Sequence, residues 1–386
     1  MDFSINEEQK TICESIKELC QNQLNNNVFS DDEEAVFPLE KWKMLGDFGV
    51  HGLPIPVEYN GLGLDMLTTA LAIEALGYSC RDEGLVFSIC AHMLTCAVPI
   101  FQFGTDEQKK KYLPDLACGK LIGGNGISES EAGSDLSDLQ TKAEKKDDHF
   151  LLNGTKIFVT NGPQADLLLI YARHPEGIRM LDISAFIVET DQNSVKIGQV
   201  FKKMGLRTSP LSEIILDNCQ VNNNNLLGRE RLGMKVFNLS MLWERIVMAA
   251  YQTGAMQYQY EKTLAYAKTR KQFQEPILKF DRVADKLIDM YKRLEMSRLL
   301  LYKTAWKYDR ENCDLNDAAL LKIVASDAKV KNSLDAVQVH GAYGYLKESE
   351  VEKELRDSIC APVYSGTSEI QKKIIADQLH TQTWEI

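Results

Sequence analysis

The feature that most constrains this 386-residue chain is a change of hydrophobic period, helical at both ends and strand-like in the middle. From residue 6 to about residue 119 apolar residues recur three and four apart, as in Ile12, Ile16 and Leu19, Leu39, Trp42 and Leu45, or Leu67, Leu71 and Ala75. Pro54, Pro56 and the run Gly61-Leu-Gly63 break that block. Between Leu121 and Leu227 the apolar residues fall into short β-rich runs. His149-Phe-Leu-Leu152, Asn153-Gly154 and Thr155-Lys-Ile-Phe-Val-Thr160 predict a hairpin with a type I′ turn. Further strands are expected at Leu167-Leu-Leu-Ile-Tyr171, Ala185-Phe-Ile-Val188 and Glu213-Ile-Ile-Leu216. From about Gly233 long helical patterns return, notably over residues 284–308 and 318–339, the second stopping before Gly341. The order is helices, sheet, helices, with expected domains at residues 1–119, 120–230 and 231–386.

Composition excludes several functions. A net charge of −11 repels nucleic acid and anionic lipid, so neither is an expected partner. The apolar runs look shorter than the roughly 18 residues that cross a bilayer, so no membrane span is expected. Nine cysteines, an odd number with no C-x-x-C, suit reduced thiols, and six isolated histidines without H-x-x-x-H give no metal site. Asp2, Glu7, Glu8, Glu14 and Glu18 are wrong for a transit or secretory peptide, which makes the cytoplasm the expected compartment. No G-x-x-x-x-G-K-[ST] occurs, and Gly341-Ala-Tyr-Gly344 follows a helix instead of linking a strand to one.

Three stretches remain for chemistry: Gly126-Ile-Ser-Glu-Ser-Glu-Ala-Gly-Ser-Asp135, Gln338-Val-His-Gly-Ala-Tyr-Gly-Tyr345, and Arg356-Asp357 followed by Tyr364-Ser-Gly-Thr-Ser-Glu-Ile-Gln371. Each alone reads as a turn or a helix cap. Together and in order, with Pro56-Val-Glu-Tyr-Asn-Gly-Leu-Gly63, Phe158-Val-Thr-Asn-Gly162, Lys203-Met-Gly-Leu-Arg207 and Ala267-Lys-Thr-Arg-Lys-Gln-Phe273, they resemble the acyl-CoA dehydrogenase family of flavoproteins nearly end to end. The resemblance implies an N-terminal α-helical domain, a middle β domain and a C-terminal four-helix-bundle domain. It also implies one FAD per subunit and a homotetramer.

Carried over by position, Asn125, Ile127, Ser128, Gly133 and Ser134 resemble the loop along the flavin ring and the thioester arm, with Ser134 on the substrate side. Phe158 and Thr160 resemble the pair beside the flavin's reactive N5, with Phe where many relatives have Trp. Arg270 and Phe273 resemble contacts to the FAD diphosphate and adenine across a subunit boundary, and a guanidinium fork suits a diphosphate. Gln338, Gly341 and Ala342, then Thr367 and Glu369, resemble the rest of the dinucleotide site. Gln274, Asp281 and Ala342 depart from the family's usual Gly, Gln and Gly at the adenosine end.

In most of the family the catalytic carboxylate directly precedes the Gly-Thr pair of the last motif, where this chain has Ser365. Relatives acting on isovaleryl and long-chain thioesters place it on an earlier helix before an Arg, and here Met241-Leu-Trp-Glu-Arg245 makes Glu244 the expected base. Its helical neighbours Ser240, Met241, Val247 and Met248 offer no cation, so the carboxylate is expected to be dry and its pKa raised, as a general base requires. The competing expectation is an ion pair with a distant arginine such as Arg270. The chemistry implied is α-proton abstraction from an acyl thioester with β-hydride transfer to flavin N5. The pattern is most similar to the prolyl-carrier-protein dehydrogenases and oxidases of natural-product pathways, such as the anatoxin pathway, with Leu242, Arg245, Tyr364 and Ser365 on the substrate side. The partner implied is an acyl carrier protein bearing an aminoacyl group, docked on basic surface at Lys109 to Lys111, at Lys202, Lys203 and Arg207, or at Arg229, Arg231 and Lys235. Reduced flavin would pass electrons to another flavoprotein or to O2. The alternatives are a short branched-chain, isovaleryl-type acyl-CoA dehydrogenase and a catalytically inert flavin-binding protein.

Overall fold

A computed structural model describes residues 4–175 and 179–379. Seven α-helices precede the sheet, from Glu7–Leu19 to Asp106–Ala117. Within them, residues 83–103 form a nearly continuous helical stretch that is long and apolar enough to cross a membrane, contrary to the expectation from run length. The stretch is 94% buried inside the protein, where it serves as a core helix.

The middle of the chain builds an eight-stranded sheet. Its order runs Val195–Val200, Leu211–Asn222, His149–Thr160, Lys142–Lys145, Leu167–Arg173, Ile183–Glu189 and Leu226–Leu227, with Gly123–Gly126 pairing in parallel alongside Leu167–Arg173. The expected hairpin at Asn153-Gly154 is not formed: His149–Thr160 is one continuous strand. Its register against Leu211–Asn222 shifts between Leu152 and Gly154. There the Asn218 backbone N–H donates to Asn153 Oδ1 at 2.7 Å while Asn218 takes φ 49°, so the pair closes a bulge across two strands instead of a turn.

The alternation of side chains decides what each face of the sheet meets. Leu167, Leu169 and Tyr171 face the helical core shared with the N-terminal helices, whereas Leu168, Ile170 and Ala172 face a second core with Phe150, Phe186 and Ile214. Strands buried on both faces read as unbroken apolar runs, as here.

After the sheet come Gly233–Thr269, Asp281–Tyr308, Leu315–His340, the short Val351–Ser358 and Ser368–Leu379. Gly341 ends the third of these with φ 60°, as its position after the pattern predicts. The 37-residue helix Gly233–Thr269, about 55 Å long, organises the molecule. Its first half is buried almost all round from Ser240 to Met256, between N-terminal helices, sheet and bundle. It crosses Met66–Ser79 at backbone contact: a Cβ on Gly254 would lie 2.0 Å from the Glu74 carbonyl oxygen, and one on Gly77 2.3 Å from that of Tyr251. Only glycine permits that crossing, which fixes the depth at which residues 240–252 enter the core.

Candidate active site

Glu244 lies in the enclosed half of the long helix and is 7% exposed. Burial pushes its pKa up to about 7, partly offset by the Ser365 hydroxyl, Arg245 and Lys322. The competing ion pair with Arg270 is excluded within one chain by the helix itself, because 26 residues at 1.5 Å each separate the two by about 39 Å. Arg245 is also buried, and its Nε donates to the Ser365 carbonyl at 3.3 Å.

The loop facing Glu244 is tightly tied. Ser365 and Gly366 both have positive φ, 56° and 85°. Gln371 Nε2 donates to the carbonyls of Ser365 and Gly366 at 3.0 and 2.9 Å, and Thr367 caps the last helix by accepting from the Ile370 N–H at 3.3 Å. These bonds leave the Ser365 hydroxyl buried without a well-aligned partner, beside the carboxyl group. Tyr364 meets Tyr251 Oη at 2.8 Å and Gln252 Nε2 at 2.5 Å. Leu242, on the same helix as Glu244, is half-buried against the helical core.

The residues read as the flavin loop adjoin this site through the sheet. His92 Nδ1 accepts from the Gly123 N–H at 2.8 Å, burial having lowered that imidazole's pKa to about 4, so the strand carrying Asn125 starts at a fixed point. Asn125 donates to the Thr95 carbonyl at 3.0 Å and adjoins the buried Tyr171 hydroxyl, which lies close enough to sense the Glu244 charge. Ile127 is buried, and Ser128 accepts from the Ile157 N–H at 2.9 Å, linking the loop to the strand that carries Phe158 and Thr160. A buried ion pair, missed in the sequence, holds the loop: Glu129 Oε1 lies 2.6 Å from Lys156 Nζ and 3.0 Å from the Thr141 N–H. Lys156 points inward from an alternating strand, and an inward lysine requires a carboxylate, which was the available signal. Gly133 and Ser134 sit farther along the loop, exposed.

A third group stands apart. Arg270, Phe273, Gln338, Gly341 and Ala342 are exposed at the far end of the bundle, with the Arg270 guanidinium 5.8 Å from the Tyr343 ring centroid. Thr367 and Glu369 do not join them; Glu369 lies near Lys322. Lys322 is 16 residues, about 24 Å of helix, from Gln338.

These residues fit an FAD. Phe158 is 57% exposed with φ 56°, an aromatic face held open at a backbone cost. A Cβ at Gly133 or Gly341 would meet nothing within 4 Å, which leaves room for a ligand to approach the backbone. Arg270 has no carboxylate within 4.0 Å among the described residues, so its fork is available to a diphosphate. Phe158 and the residue 125–134 loop would flank the flavin ring, and Arg270 would hold a diphosphate.

The basic clusters are partly consumed internally. Lys203 turns inward and donates at 2.5 Å to the carbonyls of Leu206 and Ser209, which corrects its expected place on a docking surface. Lys111 pairs with Glu189, Arg231 with Asp182, and Arg207 bonds the Glu33 carbonyl. Lys110, Lys202, Arg229 and Lys235 remain exposed.

Comparison with known proteins is consistent along the whole chain. Family models described as acyl-CoA dehydrogenase N-terminal, middle and C-terminal domains match residues 6–120, 124–219 and 231–380. An L-prolyl-[peptidyl-carrier protein] dehydrogenase of Pseudomonas fluorescens is 39% identical over 98% of this chain and 100% of its own. Among solved structures, the prolyl acyl carrier protein oxidase AnaB superposes with a TM-score of 0.96 at 41% identity, over 97% of this chain and all of that one. PigA with FAD and proline superposes with a TM-score of 0.96 at 36% identity, over 98% and 99% of the two chains.

Proposed function

The chain belongs to the acyl-CoA dehydrogenase family, and from that premise we propose that it oxidises an L-prolyl thioester on a carrier protein to a pyrroline-type product, with Glu244 as base. It is an FAD-dependent acyl-thioester dehydrogenase. FAD, when bound, supplies the two-electron acceptor for a hydride. The rest of the work falls to side chains. Glu244 accepts the α-proton as its Cα–H bond breaks, and the β-carbon gives up a hydride, so the acyl group loses two hydrogens and gains a double bond. Groups that hydrogen-bond the thioester carbonyl stabilise the developing enolate.

The observation that carries the reading is Glu244 itself: buried, with a pKa near 7, and facing Ser365 where the more common base position lies empty of a carboxylate. A carboxyl that ionises near neutrality combines an available base form with useful basicity. The prolyl assignment is supported by the relatives' names and by polarity. The buried hydroxyls of Ser365 and Tyr171 lack well-aligned partners, and an acyl group with a ring nitrogen uses such groups where a branched hydrocarbon does not.

A homotetramer belongs to the same reading. The separation of about 39 Å between Glu244 and Arg270 is one that no single FAD spans, so Arg270 serves a neighbour's cofactor. The stripe Ile288, Tyr291, Met296 and Leu299 is more than half exposed on one helix, an apolar face suited to another copy. Electrons leave to a flavoprotein or to O2. The deciding experiment presents the protein with proline on its carrier and reads acyl mass and flavin absorbance together. Loss of two mass units with flavin bleaching supports the reading, whereas faster turnover of isovaleryl-CoA would replace it with the branched-chain alternative. A flavin unreduced by either would indicate the inert binding protein.

A further inference from the structure

Four lysines are buried among the described residues, and three of them meet a carboxylate: Lys156 with Glu129, Lys329 with Glu83 and Lys353 with Asp357. Lys322 is 3% exposed and has no carboxylate within 4.0 Å among those residues. Its Nζ donates at 2.9 Å to the carbonyl oxygen of Pro362, the first residue of the loop that places Ser365 against Glu244. An ammonium group buried with no carboxylate in direct contact is costly, and Glu244 and Glu369 act on this one only at longer range, so its retention at this point calls for a role. The loop supplies one, because Ser365 is a non-glycine residue in left-handed backbone and its position has to be enforced.

Resting on the reading of Glu244 as the base, we propose that Lys322 is a positioning residue for proton abstraction. It anchors the 362–366 loop over the carboxyl group and supplies, from a neighbouring helix, a second cation beside Arg245 that favours the ionised base. Of the other groups facing Glu244 one is a cation, Arg245. The helix Glu83–His92 contributes Cys90, the strand Leu167–Arg173 contributes Tyr171, and the loop contributes Ser365, all uncharged near neutrality. Arg245 favours the ionised base more strongly than Lys322 does, from the base's own helix, with its Nε donating to the Ser365 carbonyl; Lys322 adds its charge from a different helix and holds the loop at Pro362. Burial, then Arg245, lowers the Lys322 pKa to about 8, so the amine is still mainly charged where Glu244 ionises.

The test is an infrared difference titration of the FAD-loaded protein without substrate, the Glu244 carboxyl band being identified by its loss in Glu244→Gln. Lys322→Met should raise the ionisation of Glu244 by about 0.5–1 pH unit, and Lys322→Arg should return it near wild type. Lys322→Gln, which keeps a donor for Pro362 but no charge, should shift Glu244 as Met does while unfolding nearer the wild-type temperature. This variant keeps the test decisive if the Met protein folds poorly. The acid limb of flavin reduction should move with the band. An unmoved Glu244 band in Lys322→Gln and Lys322→Met, with flavin content intact, would overturn the proposal. A shifted band in a protein that no thioester reduces would leave Lys322 in place and reject the substrate reading instead.

Discussion

The two ends of the helix Gly233–Thr269 differ in how much of a site one chain completes. Around Glu244 three parts of the fold converge, and the loop opposite is pinned by Arg245, Gln371 and Lys322. Around Arg270 little converges: Phe273 is 89% exposed and Tyr345 83%. On the proposed reading the enclosed end with its dry carboxylate governs the chemistry, and the open end of aromatics and an exposed guanidinium is completed by ligand and neighbour. Changes at the first should alter rate at constant cofactor content, and changes at the second should do the reverse.

The strongest test of that division is Glu244→Gln, expected to slow flavin reduction by the roughly 10²–10⁴-fold of a general base while FAD absorbance stays intact. If Ser365→Glu in that background restored reduction, the two positions would address the same proton. Next in size, Arg270→Ala removes charge-assisted hydrogen bonds of about 1.5–3 kcal/mol, so FAD should bind about 10–100-fold more weakly by titration, with fully loaded protein reducing near the wild-type rate. A large rate loss at saturating FAD would erase the contrast. Ser365→Ala should cost less than about 10-fold in reduction, since it removes one hydrogen-bonding group and no base.

The smallest effect concerns stability. The Glu244 pKa is raised on folding from 4.5 to about 7, so the folded protein holds that proton more tightly and loses stability as pH rises across this interval. Glu244→Gln should therefore melt a few degrees above wild type at pH 8, with the gap closing toward pH 4.5. A Gln variant less stable at pH 8 would mean that the charged carboxylate is better satisfied than its burial indicates.

What was legible in the sequence follows the range of the interactions. The helices after residue 280 and the stop at Gly341 are local, set by period and by one residue's backbone freedom. The Asn153-Gly154 misreading has the opposite cause: Asn218, 65 residues away, accommodates the bulge that replaces a turn. The dry setting of Glu244, a residue singled out by the family resemblance, was readable because its apolar helical neighbours lie within four residues. Lys322 and the Glu129–Lys156 pair were not, since each acquires its meaning from a partner 27 or 40 residues distant. The residue 83–103 stretch shows the remaining gap, because length and hydropathy are the same for a core helix and a membrane helix until the surrounding helices are known.

The central claim is that Glu244 ionises near neutrality to remove the substrate proton, and rapid mixing of FAD-loaded protein with prolyl carrier across pH tests it most directly. The flavin-reduction rate should fall as pH drops through about 7, and this acid limb should be absent from the slow residual reaction of Glu244→Gln. A Glu244→Gln protein that reduces at near wild-type rate with the same acid limb would place the base elsewhere.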